Sequence, residues 1–214
     1  MKRKLTPEDL KNSDEFELLT EVTHSNLKEF VIAQIAEEKF IIRIYSVYQV
    51  VMMLIFTYLF TRGIVLGIKG FYETLTGIVI AVLFSFSVLI VIHELLHAGA
   101  YLFTGAGRIS FGFIPKKFIF YALADQQVIE SKDFHFVALA PFVTVKLVCL
   151  AGLILFFQHP ILMCFFLGIM CLHSLFCAGD VAMLAFYKLN SDKEIFNYDS
   201  KTEGKTYFYI RKQN

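Results

Sequence analysis

The sequence predicts a mainly α protein, a polytopic membrane bundle of four transmembrane helices with a short cytoplasmic β-hairpin loop. Three observations predict it. The 214 residues are 57% hydrophobic and have a mean hydropathy of +0.60, which is more apolar than an ordinary soluble domain. Four apolar stretches reach the roughly 20 residues that a bilayer demands of a helix. A β-rich stretch, Ile109-Ser110-Phe111-Gly112-Phe113-Ile114 and Phe118-Ile119-Phe120-Tyr121-Ala122, lies in the connection that carries the most basic residues.

In chain order, residues 1–39 read as a polar, cytoplasmic, partly helical segment. The opening Met1-Lys2-Arg3-Lys4 lacks the apolar core of a cleavable signal peptide. Thr6-Pro7-Glu8-Asp9 reads as a helix start: a capping hydroxyl, proline at the first position, then acids at the positive end of the helix dipole. A second start is expected near Ser25. After it, Leu27, Phe30, Val31 and Ile35 form an apolar stripe, suited to the membrane surface or to packing on the protein.

Residues 40–188 form the membrane domain. The expected spans run over about 41–60, 74–103, 134–157 and 160–187. The last two are joined by Gln158-His159-Pro160 only and must be antiparallel neighbours. Basic residues near span ends set orientation. Arg108, Lys116, Lys117 and Lys132 follow the second span, and Lys28, Lys39, Arg43, Lys188 and Lys193 flank the bundle. Both termini and the 104–133 loop are therefore expected on the cytoplasmic side. The hairpin is closed by Pro115-Lys116-Lys117, and its edge suits either ordinary surface structure or pairing with an extended peptide. The tail, 189–214, shows a second, weaker strand pattern over Glu194–Tyr198 and Thr206–Ile210, about Glu203-Gly204.

A net charge of +1 gives no case for nucleic-acid binding. Cys149, Cys164, Cys171 and Cys177 have neither zinc-knuckle spacing nor a disulfide pattern and read as small buried hydrophobes. Cys177 stands apart from the others, one turn from an aspartate.

The chemistry-bearing stretch is His93-Glu94-Leu95-Leu96-His97, inside the second span. Histidines at i and i+4 share a helix face and can hold one metal ion, while Glu94 can reach a water on that ion. Ionisable side chains inside a membrane are costly, so they point to function. A catalytic zinc takes three protein ligands and a water, and the fourth span offers His173 and Asp180 for the third place. The two are seven residues apart and share a face if that span is one helix. On straight helices His93 and His97 lie about 15 and about 9 Å from the cytoplasmic span end, Asp180 about 12 Å and His173 about 22 Å. Depth therefore favours Asp180, and so does charge, since a carboxylate offsets the ion in a low-dielectric site. His173 then reads as a group supporting a ligand.

Two residues of the third span read either way. Pro141 frees the carbonyl four residues earlier, that of Val137, to orient a ligand or meet a substrate, or it is a packing kink. Lys146 lies near mid-bilayer and either stabilises negative charge or faces a polar cavity. The reaction to which these residues point is zinc-assisted hydrolysis with Glu94 as general base. A peptide or membrane-protein substrate would have to be unwound, and the hairpin edge could hold it extended.

These elements resemble a family of small bacterial membrane proteins described as putative zincin peptidases, and more distantly the site-2 intramembrane metalloproteases. The resemblance rests on His93-Glu94-Leu95-Leu96-His97-Ala98, Leu139-Ala140-Pro141-Phe142, and His173 followed by Gly179-Asp180. It implies a bacterial inner-membrane location, Asp180 as the aspartate ligand and Glu94 as the catalytic glutamate. The chain departs from the site-2 pattern where Ala140 replaces the asparagine that shortly precedes a proline, and where the glycine precedes rather than follows Asp180. The competing expectations are a non-catalytic metal-binding partner or assembly factor, and a metal-ion carrier.

Overall fold

The computed structural model describes residues 4–114 and 119–212. Among the described residues, three helical stretches are long and apolar enough to cross a membrane: Phe40–Ile68, Glu73–Phe103 and Ser131–Leu155. Pro160–Phe176 and Ala178–Leu189 make a fourth if that bent pair is counted as one span. The chain thus has three or four such helices together with a small β-sheet, as befits a membrane protein. The described residues divide into two compact units, each built from segments distant in sequence.

One unit comprises residues 40–93 and 140–179. It contains helices α3 (Phe40–Ile68), α4 (Glu73–Phe84), the first turn of α5 (Ile90–Phe103), most of α6 (Ser131–Leu155) and α7 (Pro160–Phe176). Between α4 and α5 the helix widens into a π-turn over Ser85–Leu89, where the Ser87 hydroxyl donates to the Leu83 carbonyl at 2.5 Å. Such an inserted residue re-phases every side chain after it, here those of the His-Glu-x-x-His turn. Packing in this unit uses small residues. A Cβ on Gly77 would overlap the Ile161 carbonyl oxygen and sit 2.9 Å from the Cβ of Cys164, so α4 meets α7 nearly backbone to backbone. Ile78, Leu59 and Cys164 fill the adjoining core. The outward side of α3 keeps Val47, Val50, Leu54 and Tyr58 exposed, as lipid-facing positions require.

The other unit comprises residues 1–39, 94–139 and 180–214. It holds α1 (Pro7–Asn12), α2 (Leu27–Glu37), the rest of α5, the start of α6, α8 (Ala178–Leu189) and all six strands. Strands β1 (Phe16–Thr23), β4 (Ile129–Glu130), β5 (Ile195–Ser200) and β6 (Lys205–Arg211) form an antiparallel sheet in the order β1-β6-β5-β4. Strand β5 is buried along its whole length. Two of its polar side chains accept hydrogen bonds: Tyr187 donates to Asn197 Oδ1 at 2.7 Å, and Thr206 donates to Asp199 Oδ1 at 2.5 Å. Phe16, Leu10, Phe196, Tyr198 and Tyr209 pack together on the sheet. Strands β2 (Ile109–Ile114) and β3 (Ile119–Ala124) pair as a separate antiparallel hairpin, with the Tyr121 ring lying over Gly112.

Several expectations meet this fold directly. The Thr6 cap is a reciprocal capping box with Asp9, and Pro7 opens α1. The hairpin strands and the two tail strands occupy the expected stretches. The turn Pro115-Lys116-Lys117, with Phe118 and Met1-Lys2-Arg3, lies outside the described residues.

Two expectations differ from it. Residues 1–39 read as helical in part, and α1 and α2 are helices there, but the strand Phe16–Thr23 between them, an edge strand paired with β6, is unexpected. Its Glu17 and Glu21 face outward, and a register shift between Leu18 and Thr20 breaks the alternation that would have marked it. The fourth span is not one straight helix: α7 ends at Phe176, Cys177 caps it, and α8 restarts at Ala178. Depth arithmetic on a straight helix, and a shared face for His173 and Asp180, do not survive that break.

Because the Gly77 contact is backbone against backbone, Gly77→Ala has no flexible neighbour to displace. It is expected to cost about 1–3 kcal/mol and to lower the thermal midpoint in detergent. Gly99→Ala, with nothing near the added methyl, should leave the midpoint unchanged or raise it.

Candidate metal centre

Helix α5 carries His93 and His97 one turn apart, both buried, with half-buried Glu94 beside them. Each histidine has its Nδ1 engaged. Nδ1 of His97 lies 3.0 Å from the Val137 carbonyl. A carbonyl can only accept, so this nitrogen carries the proton and Nε2 is left as the lone-pair nitrogen. The partner is available for a covalent reason. Pro141 lies inside α6 and has no N–H, so Val137, four residues earlier, has no helical donor to receive. A missing helix bond is thus replaced by a bond that fixes the tautomer of a buried histidine. Outer hydrogen bonds of this kind orient metal-binding histidines.

On its other side, Nε2 of His97 is 3.3 Å from Oδ1 of Asp180. Asp180 sits in the first turn of α8, where the positive end of the helix dipole favours a carboxylate. The break at Cys177 creates that helix start. With the proton on Nδ1, the facing Nε2 and Oδ1 are both electron-pair donors, and only a cation between them, a proton or a metal ion, makes their approach favourable. The spacing fits a metal. Zinc–nitrogen bonds of about 2.0–2.1 Å and zinc–oxygen bonds of about 2.0–2.2 Å at tetrahedral angles give an N···O edge of about 3.3–3.5 Å.

Nδ1 of His93 meets Nε2 of His173 at 3.1 Å. His173 is wholly buried in α7. The straight-helix estimate had put it about two turns too deep; the structure brings it into hydrogen-bond reach of His93. Its ring also borders the Cys177 sulfur, 3.6 Å from Nδ1 and 3.8 Å from Nε2. His93, His173 and Cys177 are all buried, with potential ligand atoms within 4.8 Å of one another.

Among the described residues, no acid and no histidine is in contact with Lys146. Its ammonium donates to the Met170 carbonyl and lies 5.6 Å from the Tyr48 ring and 5.5 Å from the Phe142 ring. These contacts stabilise a half-buried cation. Sequence reasoning missed the π-turn before His93 and the cap at Cys177. The one sequence signal for the latter is Gly179-Asp180 inside an apolar run, which is helix-start chemistry.

A helical membrane protein with buried histidines paired along one helix turn defines the class. Residues 86–195, half of the chain, match the model of a family described as putative zincin peptidase. The chain belongs to that family. No curated protein and no solved structure matches it.

The Val137–His97 bond makes Pro141 testable. Pro141→Ala restores an N–H that competes for the Val137 carbonyl, so zinc affinity should fall by about 10–100-fold with little change in helix content. Competition with a chromogenic chelator measures the affinity, and circular dichroism the helix content.

Proposed function

We propose that this chain is a membrane-embedded zinc metallopeptidase that hydrolyses peptide bonds near the cytoplasmic membrane face, with zinc held by His93, His97 and Asp180. The observation that carries the reading is His97, whose Nδ1 is spent on Val137 and whose Nε2 faces Asp180 Oδ1 at 3.3 Å. His93 follows by helix geometry, one turn away on the same face. Two neutral imidazoles and one carboxylate leave the ion partly compensated and a fourth position open, as catalytic zinc requires. Family membership supports the same class.

When bound, the zinc would supply a water strongly acidified, to a pKa of about 7, and would polarise the substrate carbonyl. Glu94 is the general base: adjacent to His93 and half-buried, it takes the proton of the attacking water and hands it to the leaving amine. His173 orients His93, and Val137, released by Pro141, orients His97. Lys146 holds α6 to the α7 backbone rather than joining the chemistry. The β2–β3 edge is the part suited to holding a peptide extended, since a helical substrate hides its carbonyls in hydrogen bonds. The substrate is a membrane protein or peptide reached within the bilayer. Both termini face the cytoplasm of a bacterial cell, and the protein resides in the inner membrane.

Two measurements test the reading. Purified wild type should hold about one zinc per chain; with Cys177 replaced by Ser, so that the neighbouring thiolate cannot take the ion, adding His97→Ala or Asp180→Ala should lose it, and full retention in the Cys177→Ser, Asp180→Ala double variant removes Asp180 from the site. Glu94→Gln should keep its zinc and lose about 10²–10⁴-fold in turnover. Normal turnover in that variant rules the mechanism out.

A further inference from the structure

His173 has more around it than orientation of His93 requires. It repeats, with Cys177, the i,i+4 spacing of His93 and His97, so two side chains of one helix end converge on a third from α5. We propose that His93 Nδ1, His173 Nε2 and Cys177 Sγ form a second metal position, one that takes a thiolate-seeking divalent ion of the zinc type. The position itself needs only these three residues; its consequence for activity rests on the hydrolytic reading above.

The nitrogen pair fits such an ion, and the sulfur is within a side-chain rotation of it. A tetrahedral zinc with Zn–N of about 2.0–2.1 Å and Zn–S of about 2.3 Å has N···N edges of about 3.3–3.4 Å and N···S edges of about 3.6 Å. His93 Nδ1 is 3.1 Å from His173 Nε2, and Cys177 Sγ, 3.8 Å from Nε2 and 3.6 Å from Nδ1, lies beside the His173 ring and would turn about its Cα–Cβ bond toward the Nε2 lone pair on binding. Two imidazoles and a thiolate form a soft donor set that prefers zinc over the hard cations magnesium and calcium. The thiol gives up its proton on binding, as cysteine ligands do. All three residues are buried, so the position would be shielded from water rather than open to substrate.

His93 links the two positions. A neutral imidazole has one lone pair. With the proton on Nδ1, Nε2 serves the His97–Asp180 position; with the proton on Nε2, Nδ1 serves the His173–Cys177 position. The two are therefore mutually exclusive while His93 is neutral. Each carries one anionic ligand, carboxylate or thiolate, so moving the ion between them changes ligand softness and not net charge. An ion on the thiolate position leaves Glu94 without its metal partner, which makes this an inactive resting state.

Cobalt(II) loaded into the full chain in detergent reports both positions, because only a thiolate ligand gives an intense near-ultraviolet charge-transfer band. Wild type is expected to show that band, and Cys177→Ser to lose it while still binding about one cobalt per chain at the other position. His97→Ala, with the thiolate set intact, is expected to keep the band, which tests the proposal even if Cys177→Ser does not fold. Cobalt binding by wild type without the band overturns the second position and leaves the hydrolytic one standing. A band that survives Cys177→Ser also overturns it. Loss of both the band and the bound cobalt in Cys177→Ser would instead sustain the thiolate position and count against the hydrolytic one.

Discussion

A proline that removes one helix hydrogen bond governs the chemistry available to this chain. Pro141 has no N–H, so the carbonyl of Val137 turns to Nδ1 of His97. That bond sets the tautomer and turns Nε2 toward Asp180. Inside a membrane the alternative is an unmet carbonyl, which costs several kcal/mol. The histidine is thus held by a group that would be destabilising without it. The same economy recurs at Cys177, where the end of one helix creates the start of the next and places Asp180 in its favourable first turn.

Much of this was legible in the sequence because its signals are local. The His-Glu-x-x-His spacing, the Thr6 cap with Pro7, the strands at 109–114 and 195–200, and the consequence of Pro141 for Val137 each follow from a few neighbouring residues. What the sequence hid depends on register or tertiary context. The π-turn over Ser85–Leu89 has no composition of its own, since Ser-Phe-Ser-Val-Leu is as compatible with a plain helix. Strand β1 lies at a sheet edge with charged residues outward and a register shift within it, so its alternation is blurred. The break at Cys177 sits in a continuous apolar run, and only Gly179 and Asp180 hint at it. That break is why depth counted along a straight helix misjudged His173.

The lysine and the third histidine show how one residue type serves different ends inside a membrane. Lys146 is solvated by a backbone carbonyl and two aromatic faces, which marks it as a tie between helices. His173 has a side-chain nitrogen and a sulfur beside its ring, with the Phe176 ring edge-on to it, an environment that suits a proton or a soft ion equally. Its partner His93 is then the residue on which both proposed positions depend.

The central claim is the tautomer of His97, and nitrogen NMR of histidine-labelled Cys177→Ser protein loaded with cadmium tests it most directly. The account predicts that the Nδ1 of His97 carries the proton and that its Nε2 shows scalar coupling to the metal. A proton on Nε2, or metal coupling at Nδ1, would contradict it.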